Sequence, residues 1–194
     1  MAKNIQYHGK IRLNFAKVFS ILKDKTTVID YTVDSQRKNY YKSRNKKELQ
    51  FHKTIAESYE INIQKFYRYV NVKFKDTLPS NFWQKFKIDR DTARVQVMCH
   101  KPGTVSIPHV DKYNSFLLDT TNTSNKLKRK KVKRIWITLT DPMMGHVLFV
   151  EDEVAYNLKR GTALEFDNNL IHAGGNIGYQ DRYVMTVTGW QNGQ

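Results

Sequence analysis

Residues 93–99, ARVQVMC, alternate polar and apolar side chains, and this texture recurs as far as residue 190. It returns in SIPHVDKY (106–113), RIWITLT (134–140), GHVLFVE (145–151), AYNL (155–158), GTALEF (161–166), LIHAG (170–174) and RYVMTVTGW (182–190), with Gly, Pro and Asn between the runs. Alternation with period two marks strands that bury one face. Many short strands at close spacing predict an all-β sandwich or barrel, not helix-linked parallel strands, so a jelly-roll core is expected.

Upstream the pattern changes. Phe15, Val18, Phe19 and Leu22 recur at three- and four-residue steps, as do Phe51, Ile55, Tyr59, Ile63, Phe66 and Val70, which predicts two helix faces. TTVIDYTV (26–33) reads as a strand. The expected organisation is a helical or mixed layer over residues 1–92 packed on a β core over residues 93–194, in one compact domain.

The chain has 33 Lys+Arg against 18 Asp+Glu, a formal net charge of +15. Its 10 Phe, 11 Tyr and 3 Trp can fill a core, which excludes wholesale disorder. No run approaches about 18 consecutive apolar residues, and MAKNIQYHGK lacks an apolar leader core, so a soluble, cytoplasmic protein with no membrane partner is expected. The single cysteine, Cys99, excludes an internal disulfide and a thiolate zinc cage, and fits a reducing compartment. Abundant Lys, Asn, Ile and Tyr with little Ala fit an AT-rich genome, such as many phages have.

Positive charge is concentrated in Lys126 to Arg134 (KLKRKKVKR), which holds seven basic residues and no acid. A second cluster runs from Arg37 to Lys53. Such runs serve either as solvated surface or as contacts to nucleic acid or another polyanion. The polar stretch from Asp119 to Lys133 reads as a surface loop within the β region.

Three signals carry chemistry. His109-Val110-Asp111 places an imidazole and a carboxylate two residues apart, on one face of a strand and roughly 6.5–7 Å from each other. Alone, the pair also describes a polar strand edge. His172, far enough along the chain to come from a neighbouring strand, adds a second imidazole, and two histidines with one carboxylate suit a facial triad on iron. Arg182, ten residues on, starts an otherwise apolar strand, where a planar fork matches a carboxylate.

Together these residues resemble the Fe(II)- and 2-oxoglutarate-dependent oxygenase superfamily over Arg94 to Trp190, about half the chain. Within it, RVQVMCHKPGTVSIPHVD and LEFDNNLIHAGGN, with His172 followed four residues later by Asn176, look most like the aspartyl/asparaginyl β-hydroxylase and amino-acid (prolyl) hydroxylase branch. Arg134-Ile135-Trp136-Ile137 resembles that branch's Arg-x-His-Ile strand, with Trp136 in place of the usual His.

The resemblance implies a mostly β protein with N-terminal helices and a double-stranded β-helix, cupin-like core. It also implies Fe(II) held by His109, Asp111 and His172, and 2-oxoglutarate anchored by Arg182, with Arg134 and Asn176 as further cofactor contacts and ascorbate as a supporting reductant. An amino acid or a protein side chain would be hydroxylated, with succinate and CO2 as co-products. Gln96 shares a strand face with Arg94, Met98 and His100, and would meet substrate if the opposite apolar face packs on the helices. His8, His52 and His146 read as structural or exposed without partners, and Gly174 and Gly175 as a tight turn.

Two alternatives stand beside this reading. A same-fold oxygenase acting on nucleic acid fits the charge, but Thr188 stands where the demethylase branch usually has a second arginine. A non-catalytic jelly-roll module binding a polyanion fits the basic run alone. If Lys126–Arg134 recruits an anionic substrate, changing Lys128, Arg129, Lys130 and Lys131 to Ser should lower substrate affinity and flatten its salt dependence. Equal affinity at low and high salt would identify a flap without a partner.

Overall fold

The computed structural model describes residues 3–23, 28–30, 66–106, 108–111, 113 and 132–191. The basic run as far as Lys131, the cluster from Arg37 to Lys53 (which includes His52) and the periodic positions Phe51 to Ile63 lie outside the described residues. In chain order the elements are β1 (Gln6–Lys10), α1 (Phe15–Leu22), β2 (Val28–Asp30), β3 (Phe66–Val70), a 3-10 helix (Val72–Thr77), α2 (Phe82–Phe86) and β4 (Arg94–His100). There follow β5 (Thr104–Val105), β6 (Val132–Thr138), β7 (His146–Val150), β8 (Glu153–Tyr156), β9 (Thr162–Glu165), β10 (His172–Asn176) and β11 (Arg182–Trp190).

The strands form a seven-stranded sheet, ordered β1-β9-β6-β11-β4-β3-β2, and a four-stranded sheet, ordered β5-β10-β7-β8. Both are antiparallel, and they face each other as a mostly β, double-stranded β-helix core. Alternation along each strand separates two apolar layers. Val95, Val97, Ile135, Ile137, Met185 and Val187 pack beneath Val18, Phe74, Phe82 and Phe86 of the helical segments. Trp136 and Val184, on the opposite face of the large sheet, meet Leu148 and Val150 of the small one. Among the described residues, no helix is long and apolar enough to cross a membrane.

Helix α1 forms where expected, started by Asn14, whose side chain accepts from the Lys17 N–H at 3.0 Å. Phe66 and Val70 depart from the helical expectation, because they belong to β3, hydrogen-bonded to β4 along its length. The aromatic and β-branched FYRYV favours an extended chain, and pairing with β4 overrides the three- and four-residue spacing. Gly174 and Gly175 make no turn: they lie within β10, where a Cβ would stand 3.1 Å from Arg182 Nη1 and 3.2 Å from Val147 Cγ2, respectively. Close approach of neighbours, not φ, demands these glycines. His8 and His146 have partners, Glu165 Oε2 at 3.0 Å and the Gln180 carbonyl at 3.2 Å.

Phe74 is fully buried between the helical layer and the large sheet, and contributes nothing to the opposite face. Phe74→Ala should cost ~3–5 kcal/mol in urea unfolding while leaving metal affinity unchanged. A loss within about 0.5 kcal/mol would show that the helical layer adds little to the core.

Candidate metal centre

Strand register lays out the large-sheet face that looks between the sheets. Arg134 and Arg94 flank Thr188, Trp136 and Gln96 flank Thr186, Thr138 and Met98 flank Val184, and His100 stands opposite Arg182. Gln96 thus shares the cavity face, half-buried, while Val95 and Val97 pack under the helices.

On the small sheet, Thr104 and Val105 pair with Asn176 and Gly175, and the Ser106 N–H donates to the Gly174 carbonyl at 2.8 Å. Continued without interruption, that register would set Pro108 opposite His172. Instead His109 pairs with His172, so between Ser106 and His109 this side carries one extra residue, next to Pro108, which has no N–H to donate. Of the expected strand over 106–113, the described residues form an isolated bridge at His109. The bridge has two backbone bonds, from the His109 N–H to the His172 carbonyl at 3.0 Å and from the His172 N–H to the His109 carbonyl at 2.9 Å. It brings the two rings to a centroid separation of 4.4 Å. The Asp111 N–H donates to the Asn168 carbonyl at 3.0 Å, and this anchor brings its carboxylate to the same place.

One donor atom from each of His109, Asp111 and His172 lies within 4.8 Å of the others. Ligands about 2.1 Å from an ion stand ~3.0–3.4 Å apart at octahedral or tetrahedral angles, so a small inward rotation closes the set. His172 supplies the sharpest fit. Its Nδ1–H donates to the Leu170 carbonyl at 3.1 Å, which leaves a lone pair on Nε2. That Nε2 is buried, 3.6 Å from Asp111 Oδ2, and has no hydrogen-bond partner among the described residues. A buried nitrogen lone pair facing a carboxylate is a position that a metal cation would satisfy. Burial holds the His172 imidazole below its ordinary pKa, against the opposing pull of Asp111. Burial would raise Asp111, but Arg134, His172 and His109 outweigh it and keep its carboxyl below the usual range. Both groups are therefore in their metal-binding forms at neutral pH.

Arg134 binds Asp111 Oδ2 through Nη1, donates from Nε to Thr188 Oγ1 at 2.8 Å, and lies over the Tyr113 ring at 4.4 Å. It serves the carboxylate of the cluster. Its register position is six residues from Arg182 along β11, roughly 20 Å of strand, so it does not join Arg182. Phe166 and Trp136 wall the His172 ring at 4.8 and 5.9 Å. Asn176 is occupied by backbone: its amide donates to the His100 and Gln180 carbonyls at 2.8 and 2.7 Å and accepts from the Gly178 N–H at 3.1 Å.

Arg182 is 4% exposed, and burial pushes its pKa down to about 10. Its Nη1 donates to His100 Nδ1 at 3.1 Å, and no carboxylate lies within ion-pair distance among the described residues. Thr138, Thr140, His146 and Leu158 line the cleft beside it. Parity along the strand puts His100 on the Gln96 face, but only register reveals that it faces Arg182.

No protein-family model and no curated protein sequence matches the chain. Solved structures of similar shape include a predicted oxalate decarboxylase from Thermotoga maritima, at 14% identity over 64% of this chain and 80% of that one, with a TM-score of 0.38. The cupin domain of Schizosaccharomyces pombe Cnp3 is similar at 9% identity over 66% of each chain, with a TM-score of 0.40. KdgF from Halomonas sp. is similar at 11% identity over 66% of this chain and 81% of that one, with a TM-score of 0.38.

His172→Ala should lower affinity for Co(II), read by its visible absorption, by more than the roughly 10–100-fold typical of losing an outer-shell partner. Because protons compete for Nε2 and the carboxylate, wild-type affinity should fall as pH falls. It should persist below the range where an ordinary histidine protonates, since both groups are held down. Unchanged Co(II) affinity in the variant would dissolve the cluster.

Proposed function

We propose that the chain is an Fe(II)- and 2-oxoglutarate-dependent dioxygenase that hydroxylates an amino acid or a protein side chain. The supporting observation is Arg182, a buried guanidinium with no carboxylate within ion-pair distance among the described residues, whose Nη1 lies 3.1 Å from the Cβ position of Gly174, two residues along β10 from His172. A buried cation without an anion is unfavourable by several kcal/mol, so this position favours an anionic ligand. His172 and Gly174 lie two residues apart on β10, about 6.5–7 Å, and Arg182 Nη1 sits over Gly174. That span suits 2-oxoglutarate, whose 2-oxo acid end chelates a metal while its far carboxylate meets a cation.

Fe(II) and 2-oxoglutarate, when bound, supply the oxidising power, with O2 consumed and succinate and CO2 released. The protein's own share is placement. His109, Asp111 and His172 would hold the metal by one side and leave the other side for ligands. Arg134 keeps Asp111 ionised and fixes its orientation. Phe166 and Trp136 exclude water from the His172 side. Arg182 offers a planar fork to the far carboxylate, and Gln96 lies on the cavity face where a prime substrate would rest.

Purified protein given Fe(II), O2 and 2-oxoglutarate should form succinate, and omitting iron should stop it. Arg182→Lys keeps the charge and loses the fork, so 2-oxoglutarate should bind more weakly by ~1–3 kcal/mol, roughly 5–150-fold. Absence of both succinate and 2-oxoglutarate binding would refute the assignment.

A further inference from the structure

We propose that His100 is a positioning residue for Arg182, its Nδ1 lone pair holding the guanidinium aimed at the far carboxylate; this rests on the 2-oxoglutarate reading above. The two residues face each other across β4 and β11, are 2% and 4% exposed, and meet at 3.1 Å. Arginine has only donors, so Nδ1 is the acceptor and the ring proton sits on Nε2. Burial, reinforced by Arg182, keeps this ring neutral.

Neutrality is the point of using histidine. An acceptor without charge fixes the fork and leaves its positive charge for a ligand, whereas a carboxylate at position 100 would cancel it. The nearest carboxylate in sequence, Asp181, is drawn away to Lys101 Nζ at 2.6 Å and the Tyr183 hydroxyl at 3.3 Å. The backbone around the pair is tied as well. Asn176 joins the His100 carbonyl to the Gln180 carbonyl just ahead of Arg182, and Gly174 leaves the space in which a Cβ would stand 3.1 Å from Nη1 and 3.6 Å from His100 Cε1.

The test uses His100→Phe, which keeps bulk and loses the acceptor, and His100→Asn, whose Oδ1 can replace Nδ1. In protein labelled with 15N-arginine, with Arg182→Gln identifying the signal, the Arg182 Nη–H resonances should be resolved in the wild type. They should collapse by free rotation in His100→Phe and be resolved again in His100→Asn. In the anaerobic Fe(II) form, His100→Phe should bind 2-oxoglutarate ~10-fold more weakly, yet bind pyruvate, which lacks the far carboxylate, within about 2-fold of wild type. Recovery of 2-oxoglutarate affinity in His100→Asn completes the expected result. Unchanged Arg182 resonances in His100→Phe, or equal weakening of both acids, would overturn the proposal. A wild-type protein that binds neither acid would refute the cofactor reading, and the arginine resonances would still decide the His100–Arg182 pairing.

Discussion

Two backbone hydrogen bonds between His109 and His172 hold the site together. Side chains of directly paired residues in an antiparallel bridge lie on the same side, so the bridge alone commits both imidazoles to one point in space. The extra residue between Ser106 and His109 decides which side chain is presented there. With a regular ladder, proline would face His172 and the cluster would lack a ligand. Asp111 follows through its own bond to the Asn168 carbonyl, and the Asp167 side chain accepts from the Asn169 N–H at 2.8 Å to steady that turn.

Charge on the faces that look between the sheets is arranged unequally, and the inequality gives each end its chemistry. At one end Asp111 is matched by Arg134, so its carboxylate stays ionised beside the His109 and His172 imidazoles. At the other end Arg182 has, among the described residues, a neutral histidine as partner and no carboxylate, which leaves a positive charge for an anionic ligand to match. The large sheet supports both ends at once. Its helix-facing side is apolar through β4, β6 and β11 at Val95, Val97, Ile135, Ile137, Met185 and Val187, and the opposite side carries arginine, threonine, glutamine and histidine in register.

The β half was legible because strands that bury one face must alternate, and ARVQVMC or RYVMTVTGW can alternate in only one way. Parity also placed Gln96 and Arg94 on the face opposite Val95 and Val97. What parity could not supply was pairing. That His100 meets Arg182, that Arg134 meets Asp111 and lies far from Arg182 along β11, and that FYRYV joins β4 as a strand all depend on which strands are neighbours. The role of Gly174 was likewise hidden, because a glycine chosen for a neighbour's close approach looks in sequence like a glycine chosen for a turn. The three donors were readable as types and spacing, whereas the bulge that aims them was not, since Pro108 signals an interruption without saying what it presents.

Anomalous diffraction at the iron edge, from crystals grown without oxygen in Fe(II) and 2-oxoglutarate, tests the convergence most directly. The account predicts one peak bonded to His109, Asp111 and His172 at ~2.0–2.2 Å, with the far carboxylate of 2-oxoglutarate on the Arg182 fork. A peak elsewhere, or three side chains turned away from one another with Arg182 paired to a protein carboxylate, would contradict it.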